Sequence, residues 1–197
     1  VTLVYPNGGE SWAATGTYTI TWHMRDDDGD ALTSSLFTSR DNGATWNLSA
    51  PNLTAAQFGL DVAMLPGGEQ VRFRVDVTDG LLTASDASDA PLRVPNKAPL
   101  VMVLGPAPYT VLTPGEPILL SALATDVEDG PLSGAALSWS SDRAGALGSG
   151  ADVAVAHLSL GWHTLTAVAR DSAGATGQAS VRVVVGRQAW LPLVARR

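Results

Sequence analysis

The side chains with the most chemistry to offer are carboxylates gathered in short runs: Asp26-Asp27-Asp28-Gly29-Asp30, Asp79-Gly80, Asp126-Val127-Glu128-Asp129-Gly130 and Asp171-Ser172-Ala173-Gly174. Loops that alternate Asp with Gly can supply calcium with the six to eight oxygens it takes, from side chains and carbonyls together. The helical calcium-loop pattern is excluded, because no Glu stands at its twelfth position and no helical period flanks the run. Asp and Gly also make good turns on their own account, and that plainer reading of the same runs stays open. Paired acids leave glycoside hydrolysis formally possible, but such clefts need sugar-stacking aromatics, and most of the Trp residues occupy strand-like positions.

Other catalytic chemistry finds little purchase. There is no cysteine, so no thiol nucleophile or thiolate metal site exists. The three histidines are His23 and His163, within strand-like runs, and His157, near the end of one. No G-x-S-x-G turn and no H-E-x-x-H helix is present, and no serine sits in a recognisable nucleophile setting. The formal charge is −7 and the bases are scattered except for the last two residues, which argues against a nucleic-acid partner, since phosphate binding needs a clustered basic face. No apolar run is long enough to span a bilayer as a helix. Val1 opens directly into strand-like sequence without a leader, so the chain reads as excised from a longer one.

The elements that must position these residues are strands. In Val71-Arg72-Phe73-Arg74-Val75-Asp76-Val77-Thr78 apolar and polar residues strictly alternate, which places one face on a core and one in water. Tyr18, Ile20, Trp22 and Met24 alternate with Thr17, Thr19, Thr21 and His23 in the same way. Charged residues are 16% of the chain, below the usual share of about 25%, and nothing sustains a 3.6-residue period. Strand, acidic turn, strand, and later strand, Asp turn, strand occur twice in one order: Thr17 to Met24 before Asp26 and Val71 to Thr78 before Asp79, then Ile118 to Ala124 before Asp126 and His163 to Arg170 before Asp171. This is the mark of a duplicated module. Pro95-Asn96-Lys97-Ala98-Pro99 interrupts the pattern and predicts a short, stiff connection. The expectation is an all-β chain of two tandem immunoglobulin-like antiparallel β-sandwiches, residues 1–95 and 96–187, followed by a tail over 188–197. Trp22 and Trp139 are each expected to be buried in one core.

Four stretches carry resemblances. Ser39-Arg40-Asp41-Asn42-Gly43-Ala44-Thr45-Trp46 matches S-x-D-x-G-x-T-W and resembles the Asp-box hairpin of sialidases, a motif of local shape and not of catalysis. The second half, through Asn96-Lys97-Ala98-Pro99, Ala124 to Gly130, Gly161-Trp162-His163-Thr164 and Ala169 to Gly174, is similar to bacterial Ig-like, PKD-like and cadherin-like repeats. The first half, with Pro6-Asn7-Gly8-Gly9-Glu10, looks like a fibronectin-III-like relative. Trp190-Leu191-Pro192-Leu193-Val194-Ala195-Arg196-Arg197 resembles short tails that end some bacterial secreted proteins, which implies a natural C-terminus.

These resemblances imply a non-catalytic stalk, spacer or adhesive segment of a larger secreted or surface bacterial protein. Its partners would be the rest of the parent polypeptide, a polysaccharide or another surface protein. The alternative is a carbohydrate- or substrate-binding accessory to a secreted hydrolase, to be read from exposure at Trp12, Trp46, Trp162 and Tyr109. In an immunoglobulin-like sandwich the loops after the second and sixth strands share a pole. Asp126, Glu128, Asp129 and Asp171 are therefore expected to converge as a calcium site, with Asn96 adding an oxygen and with Asp26, Asp28 and Asp79 forming the weaker counterpart in the first module.

Overall fold

The computed structural model describes residues 1–187, so the expected tail over 188–197, Trp190 included, lies outside the described residues. The chain divides into two compact units, Val1–Lys97 and Ala98–Arg197, so Asn96 and Lys97 go with the first.

In the first unit, β1 (Thr2–Tyr5), β2 (Thr17–His23) and β5 (Gln57–Asp61) form one antiparallel sheet in the order β1-β2-β5. The facing sheet contains β3 (Thr33–Ser39), β4 (Asn47–Leu53), β6 (Gly68–Thr78), β7 (Thr83–Ala87) and β8 (Leu92–Val94), with β6 pairing β3 on one side and β7 and β8 on the other. The period-two pattern does what it predicts: Val71, Phe73, Val75 and Val77 of β6 face inward onto Ile20 and Trp22 of β2 in one apolar cluster.

The second unit pairs β9 (Leu100–Gly105) with β11 (Ile118–Asp126), whose other edge takes β12 (Gly130–Leu132) and β15 (Asp152–Val155). The opposite sheet runs β10 (Val111–Leu112), β17 (Thr176–Val185), β16 (Gly161–Arg170), β13 (Leu137–Ser141), β14 (Gly145–Ser149). Its core gathers Leu120, Ala122 and Ala124 of β11 against Trp139 of β13, Leu165 and Ala167 of β16 and Val183 of β17.

Trp22 and Trp139 are 2% and 1% exposed. They do not occupy equivalent places: Trp22 lies on β2, the strand before the first acidic turn, whereas Trp139 lies on β13, after it and in the opposite sheet. What repeats between the units is the order of strands and turns, with different residues filling each core.

One further feature repeats. In each unit the first strand ends at a cis X-Pro peptide, Tyr5-Pro6 and Gly105-Pro106, and the chain then runs parallel to the last strand. In the first unit Gly9 N donates to Pro91 O at 2.9 Å, Arg93 N to Glu10 O at 2.8 Å and Trp12 N to Arg93 O at 2.9 Å. In the second, Tyr109 N donates to Arg182 O at 2.7 Å, Val184 N to Thr110 O at 3.0 Å and Gly186 N to Leu112 O at 3.0 Å, beside the parallel β10–β17 pair.

Candidate functional site

The residues with chemistry to offer fall into five groups: the pole of the second unit, its counterpart in the first, the Asp41 hairpin, a buried Ser141–His163 pair, and an aromatic cluster on the outward face of β16–β17.

At the first pole, strands β11 and β16 deliver their acidic turns to one end of the sandwich. Asp126 is 5% exposed, and its Oδ1 accepts from the Glu128 and Asp129 amides, both at 2.9 Å. Asp129 reaches the neighbouring loop, accepting from Ser172 N at 2.6 Å and from Ser172 Oγ at 2.9 Å. Asp171 is buried, and its Oδ1 accepts from Ala175 N at 2.7 Å. The two loops converge as the sandwich topology requires. Their carboxylates are spent largely on turn amides, while Asp126 Oδ2 is buried without a hydrogen-bond partner. Asn96 belongs to the first unit, where its Nδ2 donates to the Lys97 carbonyl at 2.9 Å.

The first unit repeats the layout more openly. Asp26 and Asp79 line one surface concavity with Arg25 and Leu82. Asp26 Oδ1 accepts from Asp28 N at 2.8 Å and from Asp30 N at 3.2 Å. Asp79 Oδ1 accepts from Leu81 N and Leu82 N, both at 2.7 Å, and these two amides hold its carboxyl below the usual range. Asp28 enters through its amide, as the donor to Asp26. Among the described residues no group of three or more His, Cys, Asp or Glu side chains is arranged to hold a metal ion.

The Asn42-Gly43 pair closes a hairpin between β3 and β4. Both residues have positive φ, 58° and 92°, and Ala44 N donates to Asp41 O at 3.3 Å, the geometry of a tight primed turn. Asp41 binds the turn through Thr45, accepting from its Oγ1 at 2.6 Å and its amide at 2.8 Å, and through Ser39 Oγ at 2.7 Å. Those bonds, the Thr45 hydroxyl foremost, lower its pKa to about 2. On the neighbouring β6, Arg74 lies over both Phe37 and Trp46, 4.5 Å and 5.0 Å from their ring centroids.

A carboxyl with pKa depressed from 3.8 to about 2 contributes stability that is fully present above about pH 4 and lost as pH falls through about 2. An Asp41→Asn variant should melt lower than the wild type at neutral pH, and the two melting temperatures should converge between pH 4 and pH 2. A constant difference across that window in a thermal scan would mean that the ionised carboxylate does not tie the turn.

Two meetings of side chains, Ser141 with His163 and Trp162 with Arg182, were beyond sequence reading. Ser141 and His163 lie 22 positions apart and meet only because β13 and β16 pair: Ser141 Oγ is 2.8 Å from His163 Nδ1, and His163 is fully buried. His163 Nε2 lies 2.8 Å from the Ser159 carbonyl, which can only accept, so Nε2 carries a proton and donates to it. Ser141 Oγ in turn accepts from the Arg143 and Ala144 amides at 3.2 and 3.3 Å. This Ser–His pair ties one turn to a strand and presents no open nucleophile.

The other cluster is exposed. Trp162 and Tyr109 are 46% and 68% exposed and meet edge-to-face at 6.3 Å and 81°, with the Arg182 guanidinium 4.7 Å from the Trp162 centroid. Of the other aromatics in question, Trp12 is buried and stacked on Tyr18, and Trp46 is half-buried beside Arg74. Arg182 carries no signal in the sequence, because its position over Trp162 depends on the β16–β17 register.

No protein-family model matches the chain, and no curated protein sequence matches it. Among solved structures it is similar to the fibronectin(III)-like modules of Clostridium thermocellum CbhA, at 19% identity over 93% of this chain and 92% of that one, with a TM-score of 0.40. It is also similar to the N-terminal four Ig domains of Dscam1 isoforms 7.44 and 6.9, at 11% and 13% identity over 93% of this chain, with TM-scores of 0.45 and 0.44. The chain spans less than half of those Dscam1 chains, 44% and 45%. The strand order and pairing of the two units make the fold all-β and immunoglobulin-like.

Proposed function

We propose that the chain is a non-catalytic, load-bearing spacer from the extracellular part of a larger bacterial protein. The observation that carries this reading is the parallel pairing of first and last segments in both units, Gly9–Trp12 with Pro91–Arg93 and Tyr109–Leu112 with Arg182–Gly186. When a unit is pulled from its two ends, such strands slide past each other, so the bonds between them are loaded together in shear and not opened one at a time. The buried Ser141–His163 pair and the Asp41 carboxylate, both consumed by local structure, support a non-catalytic role.

Single-molecule stretching tests the spacer reading. Val184→Pro removes the amide that donates to Thr110 O and should lower the unfolding force of the second unit sharply, while costing about 1–3 kcal/mol in equilibrium stability, since the Thr110 carbonyl is left without its donor. An unfolding force unchanged by the substitution would count against the reading, as would turnover of a glycan, ester or peptide panel by the purified chain.

Calcium at the acidic pole of the second unit is proposed with it, on the strength of the buried, unpartnered Asp126 Oδ2 and of the bonds by which Asp129 ties this loop to Ser172, next to Asp171. The ion would neutralise the packed carboxylates and stiffen the pole. Calcium that binds only the folded state should stabilise it by about 2.7 kcal/mol at a hundredfold excess over Kd. Asp126→Asn should abolish that gain, and equal melting temperatures in millimolar calcium and in chelator would leave these acids as turn ties.

A further inference from the structure

We infer that the outward face of β16–β17 in the second unit is a binding platform for an acidic saccharide, a glycan that contains uronic acids. This goes beyond the spacer reading and does not depend on it.

The register defines the face. Residues directly opposite in an antiparallel pair point the same way, so Trp162 shares its side of the sheet with Val184, Thr164 with Arg182, and Thr166 with Ser180 and Ser140. Small hydroxyl side chains therefore line the middle of this face, and one indole stands at its end beside Val184. The inward positions of the same strand are taken by His163, Leu165 and Ala167. Trp162 is thus not needed to fill the core, and its large apolar surface is left in water.

Tyr109 adds a second observation. Its φ is +63°, a conformation in which a bulky residue is an outlier and which glycine adopts without strain. The chain holds it there with the Tyr109 amide bonded to the Arg182 carbonyl and Thr110 Oγ1 bonded to Ala107 O at 2.7 Å. The effect is to bring a largely exposed phenol ring against the edge of Trp162. Strain kept at a surface residue whose side chain fills no core is a pointer to what that side chain contacts outside the molecule.

Arg182 supplies the charge preference. Its guanidinium lies over the Trp162 ring, and a planar guanidinium seated on an aromatic face can still donate through its N–H fork to an anion. Among the described residues it has no carboxylate within ion-pair distance, although acids outnumber bases 19 to 12 along the chain. A pyranose ring offers an apolar C–H face to the aromatic pair, hydroxyls to the Thr164 and Ser180 side chains, and, when it is a uronate, a carboxylate that matches the Arg182 fork.

The test uses the whole chain with hexagalacturonate and, as the neutral arm, cellohexaose, by calorimetry and by amide chemical-shift mapping. Hexagalacturonate should bind and shift the Trp162 indole signal together with the amides of Thr164 and Ser180, and cellohexaose should bind at least about tenfold more weakly, the worth of one charged hydrogen bond. Trp162→Ala should remove binding, and Arg182→Gln should reduce hexagalacturonate binding to the cellohexaose level and abolish its salt dependence. Both variants should melt like the wild type, since both side chains are on the surface; the shift map on the wild-type chain stands without them. Absence of binding at millimolar hexagalacturonate, equal binding of cellohexaose, or shifts confined to another face would each overturn the assignment.

Discussion

Replacing Trp139 by alanine should destabilise the second unit by about 3–5 kcal/mol, the usual cost of emptying a buried aromatic site, and Trp22→Ala should do the same to the first. Each indole is essentially inaccessible and sits in a separate apolar cluster, with no residue shared between the two. A domain of this size has a total stability of only about 5–15 kcal/mol. Each substitution should therefore lower one calorimetric transition by roughly 15 °C or more and leave the other in place. The indole nitrogens refine the expectation. Trp22 Nε1 and Trp139 Nε1 are both buried without a hydrogen-bond partner, and an orphaned donor costs about 1–3 kcal/mol. Phenylalanine gives up ring volume but removes that orphan, so Trp139→Phe should cost clearly less than Trp139→Ala. A single transition that moves as a whole with either Trp→Ala variant would show that the two cores unfold together.

How far the sequence could be read depended on whether the deciding contact was local. β6 and β2 were legible because each is half-buried, and a half-buried strand writes its two faces as alternation, as Val71 to Thr78 does. The Asp41 turn was legible because Asn42-Gly43 and the Asp41–Thr45 bonds span only a few residues. β11 was legible as a strand but not in its faces. Ile118, Leu119 and Leu120 are all apolar, yet Leu120 is fully buried whereas Leu119 and Leu123 lie more than half in solvent. With Leu100, Met102 and Leu104 of the paired β9, they make this an apolar outward face that periodicity cannot announce. The acidic turns were found by composition, but which of their oxygens are consumed by turn amides depends on loop conformation. The Ser141–His163 and Trp162–Arg182 meetings were invisible for a further reason: each is set by the register of two strands, which is a tertiary outcome.

The same dependence on close approach makes Gly177→Ala the other substitution of large effect. Gly177 lies on β17 opposite Ala169, and a Cβ built on it would stand 1.7 Å from the Pro99 carbonyl oxygen and 2.8 Å from the Pro99 carbonyl carbon. Both atoms are backbone, and Pro99 is buried, so no flexible side chain can swing away to make room. Either the segment that leads into β9 moves outward or β17 shifts against β16, and forced overpacking of this kind costs typically about 1–3 kcal/mol. β9 holds the sheet through its pairing with β11, from Leu100 opposite Thr125 to Gly105 opposite Ser121. Displacing Pro99 should therefore weaken protection from hydrogen exchange first at the Leu100 end of that ladder. Gly186→Ala is the matched control. It stands one residue beyond β17, an added methyl there would meet nothing within 4 Å, and its φ is not positive, so its effect should stay within about 0.5 kcal/mol. If Gly177→Ala melts with the control and exchanges like the wild type, the strand has room at Pro99, and the glycine is there for some reason other than close approach.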